Sequence, residues 1–171
     1  MEVIMNEKNL MDIIKSALLL EYKGKALYES VHQASASAEV KELFSMLAEE
    51  EKQHVSLLKQ QYVKLLKGED IDVPELEQSH PRTAENVLSR KIIERVSGAG
   101  YEAAVISAAL DFEKKAVNYY SERASGASVD EEKKLFQWLA DWEKTHLEIL
   151  GKIDNELRER IWFDNSFWPL D

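Results

Sequence analysis

The chain carries one pattern twice. Leu43–Leu58 reads LFSMLAEEEKQHVSLL and Leu135–Leu150 reads LFQWLADWEKTHLEIL. Each holds a Glu-x-x-His motif, Glu51 with His54 and Glu143 with His146. On an α-helix three residues advance a side chain by about 300° and about 4.5 Å, so Glu and His project from adjacent turns of one face, within reach of a single ion. The correspondence extends upstream: 113 − 21, 143 − 51 and 146 − 54 are each 92, so Glu21, Glu51 and His54 recur in register as Glu113, Glu143 and His146. Laid without gaps, Leu18–Leu66 and Leu110–Arg158 also share Tyr28/Tyr120 and LFxxLA.

Apolar spacing predicts a helix from near Asn9 or Asp12 to about Gln33, after a loose leader over residues 1–8. Ile13, Ala17, Leu20, Gly24, Leu27, Tyr28 and Val31 form its stripe, with the charge of Glu21 inside it. Ser35-Ala36-Ser37-Ala38 reads as a turn with capping residues, and Glu39 suits the first turn of the next helix. That helix runs to about Leu66 and stops at Gly68, with Val40, Leu43, Phe44, Leu47, Glu51, His54, Leu58, Tyr62 and Leu65 inward. The midpoint of Glu21 and Glu51 falls at residue 36, in the turn; that of Glu113 and Glu143 falls at 128, in the turn Ser125-Gly126-Ala127-Ser128. Descending one helix and climbing its antiparallel neighbour by equal steps brings both carboxylates of each pair to one height.

The second pair is expected over about Tyr101–Ala124, burying Ala104, Ala108, Phe112, Ala116 and Tyr120 around Glu113, and over about Asp130–Arg160. Residues 67–100 join the halves. Pro74 and Pro81 make the first part irregular, and Thr83 starts a short amphipathic helix through Val87, Leu88, Ile92 and Val96. A hairpin needs only a few residues, so this length implies a crossover along the bundle. In the tail, residues 161–171, Trp162, Phe163, Phe167 and Trp168 are expected to close one end of the bundle, with a subunit interface as the functional alternative. The whole of 1–171 reads as one all-α domain: a four-helix bundle of helix pairs 9–66 and 101–160, with the extra helix in the crossover.

Four glutamates and two histidines thus converge at mid-bundle, with no Lys or Arg expected on the inward face. Buried carboxylates that crowd one another must protonate or meet cations. Two divalent ions neutralise four carboxylates. Oxygen-rich ligation with one imidazole per metal suits iron or manganese, and zinc less. Glu51 and Glu143 are the natural bridges, Glu21 and Glu113 the terminal ligands. Tyr28 and Tyr120 read as packed bundle tyrosines, with hydrogen bonding to those carboxylates as the sharper alternative. Trp138 and Trp142 lie beside the ligand face and read as core or interface packing, with electron transfer as the alternative. Glu49 and Glu50 read as a solvated charge run, Asp111 as off the ligand face, and His32 and His80 as surface residues.

Composition narrows the functional class. A net charge of −10 argues against nucleic acid or an anionic membrane as partner. The absence of cysteine excludes thiolate metal sites and suits a reducing cytoplasm. No signal peptide is apparent in MEVIMNEKNL, and no apolar run spans a bilayer.

The order E…ExxH…E…ExxH with its internal repeat resembles the ferritin-like di-iron carboxylate superfamily. The long connection and aromatic tail are most similar to rubrerythrin-related proteins lacking the rubredoxin domain. The resemblance implies a pair of iron ions held by Glu21, Glu51, His54, Glu113, Glu143 and His146. It also implies peroxide or oxygen reduction, with electrons from a donor protein or from ferrous iron itself, in a homodimer. Alternatives within the superfamily are a ferroxidase of bacterioferritin type, a substrate hydroxylase and a non-catalytic metal-binding module. Rubrerythrins carry an extra glutamate one turn beyond the third ligand; here that position is Ala116.

Overall fold

A computed structural model describes residues 2–73, 82–96 and 100–164, with side chains over 9–73, 89–96 and 100–163. Five α-helices fill them: α1 (Glu2–Ala34), α2 (Ala38–Leu66), α3 (Arg82–Arg95), α4 (Tyr101–Gly126) and α5 (Asp130–Asp164). No strand occurs among the described residues, and no helix there is long and apolar enough to cross a membrane.

Both hairpins turn where the sequence places them. Ser37, in extended conformation, accepts the Val40 N–H on its hydroxyl at 3.2 Å and opens α2, satisfying one of the amides left unpaired at a helix start. Gly68, at φ 71, closes α2: its N–H reaches the Leu65 carbonyl and the Glu69 N–H the Lys64 carbonyl. Only glycine takes that left-handed backbone without a steric penalty.

The crossover runs the length of the bundle. At one end, Asp72 meets Gln61 and Lys64 of α2. At the other, the Glu102 carboxylate in the first turn of α4 accepts from the Ser35 hydroxyl and the Ala36 N–H in the α1–α2 turn. The chain therefore leaves α2 at one end and begins α4 at the opposite end, so α2 and α4 run parallel. Helix α3 lies within this return, packing on α5 and α2, and its Arg95 pairs with Glu39 of α2.

Two apolar clusters divide the interior. One gathers Tyr28, Val31, Phe44, Leu47, Ile92, Ile106, Leu150 and Ile153 near the α1–α2 turn. The other gathers Ile14, Ala17, Leu58, Tyr120, Leu135, Phe136 and Leu139 near the α4–α5 turn. The six sequence-singled carboxylates and imidazoles lie between them.

Several expectations are corrected. Residues 2–8 continue α1 rather than forming a loose leader: EVIMNEK has neither Gly nor Pro and includes strong helix formers such as Glu, Met and Lys. In α4, Ala104 and Ala108 are exposed and Phe112 half-buried; Ala103, Ile106, Ala109 and Leu110 face inward instead. A strict four-residue spacing drifts about 40° per step from a 3.6-residue period, so a stripe extrapolated back from Ala116 rotates off the core. Trp162 and Phe163 do not close the bundle. They stand 65% and 86% exposed on α5, which runs on to Asp164 beyond its last inward residue, Leu157. Phe167, Trp168, His80, Pro74 and Pro81 lie outside the described residues, as do the side chains of Thr83, Val87 and Leu88.

Gly24 permits a close approach between α1 and Phe112 of the other half. A Cβ there would meet the Phe112 ring at 2.8 Å and the Glu51 carboxyl carbon at 3.3 Å, whereas one at Gly151 would make ordinary contact with Leu110 at 3.6 Å. Gly24→Val is accordingly expected to destabilise the fold by roughly 1–3 kcal/mol through overpacking. Gly151→Ala should stabilise it by up to about 1 kcal/mol through helix propensity. Urea denaturation of both variants checks the opposite signs.

Candidate metal centre

Glu21 from α1, Glu51 and His54 from α2, Glu113 from α4, and Glu143 and His146 from α5 meet in one layer, each at most 1% exposed. They form two donor sets, Glu21–Glu51–His54–Glu143 and Glu51–Glu113–Glu143–His146, with ligand atoms in each set within 4.8 Å of one another. Glu51 and Glu143 belong to both. The imidazoles lie face to face, centroids 6.2 Å apart, and turn Nδ1 toward the carboxylates. His54 Nδ1 lies 3.0 Å from Glu21 Oε2 and 3.0 Å from Glu143 Oε1. His146 Nδ1 lies 3.1 Å from Glu143 Oε2 and 3.3 Å from Glu113 Oε1.

The layer is rich in acceptors and poor in donors. Glu51 Oε1, Glu113 Oε2, both Glu143 oxygens and His146 Nδ1 are buried with no hydrogen-bond partner among the described residues. Such orphaned groups are rare in folded interiors and cost roughly 1–3 kcal/mol each when neutral, more when charged. No Lys or Arg is buried among the described residues. Cations in the two sets would satisfy these atoms, and four carboxylates with two imidazoles form a donor set that iron or manganese accepts. The residues fit such a pair.

Two tyrosines tie the halves together through this layer. The Tyr28 hydroxyl donates to Glu113 Oε1 and the Tyr120 hydroxyl to Glu21 Oε1, each crossing from one half to the other. Both rings are fully buried, so the hydrogen-bonding alternative and the packing reading hold together. Trp138 and Trp142 pack edge-on against His54, at 5.8 and 5.4 Å between centroids, and against each other at 4.8 Å. His32 is exposed, with Nδ1 at the Lys41 carbonyl. Asp111 is exposed and pairs with Lys114, and Glu49 is exposed and pairs with Lys52.

Glu50 departs from expectation. Its side chain is only 13% exposed, and its carboxylate meets His146 Nε2 and accepts the Trp142 Nε1–H at 3.4 Å. A residue one position before an inward ligand is rotated about 100° on the helix, which here turns it to α5 rather than to solvent. The repeat held the signal: Glu50 is the counterpart of Trp142, already placed beside the ligand face.

Without cations the buried groups shift one another's affinity for protons. Burial, then the charges of Glu143 and Glu51, raises the Glu21 pKa well above its ordinary value. Burial and Glu143 raise that of Glu113 to about 8. Glu51 and Glu143 go the other way: burial opposes ionisation, but contacts with both imidazoles outweigh it. Burial likewise opposes the charge on His54 and His146, yet the facing carboxylates, Glu143 and Glu21 for His54 and Glu113 for His146, raise both well above 6.5. Protons are thus favoured on Glu21, Glu113 and both imidazoles, and disfavoured on Glu51 and Glu143.

A rubrerythrin family model matches residues 12–154, most of the chain. The protein belongs to the rubrerythrin family. Neither a curated protein nor a solved structure matches it. Rubrerythrins are ferritin-like di-iron carboxylate proteins, and the all-α bundle and buried Glu/His layer of this member agree with that fold and with an iron site. These 171 residues include no cysteine, so they build no cysteine-ligated iron domain. Ala116, at the position of the extra rubrerythrin glutamate, is buried at 2%.

The protonation pattern sets how this rubrerythrin responds to pH when stripped of metal. Raised folded-state pKa values at Glu21, Glu113 and both histidines contribute stability that is full below their unfolded values of 4.5 and 6.5. It is lost as pH rises through the folded values, about 8 for Glu113. Depressed values at Glu51 and Glu143 contribute above 4.5 and fade below it. The chelated protein should therefore melt highest near about pH 5 and lose stability toward about pH 8. Glu113→Gln should flatten that decline, read by circular dichroism.

Proposed function

We propose that the chain is a di-iron oxidoreductase that reduces peroxide or oxygen, drawing electrons from a donor protein or from ferrous iron. The observation that supports it best is the pair of buried donor sets sharing Glu51 and Glu143. A structural ion is served by one closed site, whereas two adjacent sites with common carboxylates place two ions close enough to act on one small molecule. Reduction of one peroxide to two waters takes two electrons and two protons. When bound, iron supplies the redox chemistry.

The protein groups do the rest. Glu51 and Glu143, common to both sets, would serve both ions, Glu21 and Glu113 one each, and His54 and His146 would donate from Nδ1. Tyr28 and Tyr120 keep Glu113 and Glu21 in place by donating to one oxygen of each, leaving the second oxygen for a cation. The apolar clusters above and below exclude water and strengthen every charge contact in between. The working assembly we propose is a homodimer in the cytoplasm, with neither nucleic acid nor membrane as partner, in keeping with the charge of −10.

Anaerobic reconstitution with ferrous iron, followed by metal counting and peroxide addition with a reductant, tests this. Two irons per chain and rapid peroxide consumption are expected, with Glu143→Ala slower by more than about 100-fold. Consumption no faster in the native chain than in Glu143→Ala would refute the catalytic reading. A shell-sized particle in light scattering, in place of a dimer of 19.7 kDa chains, would point to iron storage instead.

A further inference from the structure

The repeat is nearly symmetric at the metal layer and breaks in one informative place. Glu21/Glu113, Tyr28/Tyr120, Phe44/Phe136, Glu51/Glu143 and His54/His146 are identical pairs 92 residues apart. At the same offset, Glu50 faces Trp142 and Met46 faces Trp138. On the His146 side the exchange sets Glu50 at the outer nitrogen, and on the His54 side it sets two tryptophans against the ring. His146 Nε2 has the Glu50 carboxylate to donate to. His54 Nε2 is buried with no hydrogen-bond partner among the described residues, its ring covered by Trp138 and Trp142. Trp142 also donates to Glu50, so the residue that deprives His54 of a carboxylate helps hold the one serving His146.

We infer that the two metal positions are unequal, and that Glu50 is the positioning residue that makes the His146 position the tighter one. This rests on the two-cation reading above. A carboxylate on the outer nitrogen of a metal-binding imidazole fixes its tautomer and ring orientation and makes the inner nitrogen a better donor. Loss of such a partner typically costs 10–100-fold in metal affinity. Glu50 also adds a negative charge on the His146 side that has no counterpart beside His54. The shared bridges and the tyrosine-held outer glutamates are alike for both positions, so they cannot supply the difference. The first cation settles with His146 and Glu113; the second joins His54 and Glu21 under the tryptophans.

Anaerobic titration of the chelator-stripped full chain with cobalt(II), followed by d–d absorption and calorimetry, reads each step without any turnover. Two steps differing about 10–100-fold in dissociation constant are expected. Glu50→Gln, nearly isosteric, should weaken the tight step about tenfold and spare the weak one. His146→Gln should abolish the tight step, and His54→Gln should leave it. Trp142→Glu, which restores symmetry, should tighten the weak step, with circular dichroism confirming the fold of each variant. Two equal steps in the native chain overturn the inference while leaving the two-cation reading standing, as does a Glu50→Gln effect that is absent or equal on both steps. No cobalt binding at all overturns both.

Discussion

Six ionisable side chains share a dry layer, and the rest of the fold is arranged around making that tolerable. Isolated, each carboxylate would be driven to protonate or to unfold its surroundings. Arginine or lysine is the common remedy, and none is buried among the described residues. The compensation is internal instead. Protons are favoured on Glu21, Glu113 and both imidazoles, and groups of this kind give up such protons when they take a cation. Compact apolar clusters lie on either side of the layer.

Geometry serves that balance. The α1–α2 and α4–α5 turns lie midway between paired glutamates, so each hairpin delivers its carboxylates at one height. The return of the chain through α3 lets α2 and α4 run parallel, and it places the two Glu-x-x-His helices, α2 and α5, antiparallel. A rotation relating the halves then carries each donor set onto the other. Gly24 keeps α1 close enough to Phe112 and Glu51 for the layer to stay closed.

Much of this was legible in the sequence because the repeat supplies its own check. An inward charge at one position is an anomaly; the same charges at the same offsets in two copies form a pattern. Hairpin turns and the crossover followed from distances along the chain. What escaped depended on angle rather than spacing. The α4 stripe slipped because alanine is too common on helices to mark a face. Glu50 is hidden in the sequence because adjacent glutamates resemble a solvated surface run, although its counterpart in the repeat, Trp142, lies beside the ligand face. The α1 start escaped for want of a stop signal: nothing in EVIMNEK breaks a helix.

The tyrosines crossing the layer have a consequence for how the centre is assembled. Each hairpin provides a hydroxyl that fastens a carboxylate belonging to the other, and each contributes one of the shared glutamates. Each half carries three of the four donors of one set and borrows the fourth, a shared glutamate, from the other. Docking of the two hairpins completes both donor sets at once, and a fluctuation that parts them takes one shared carboxylate from each.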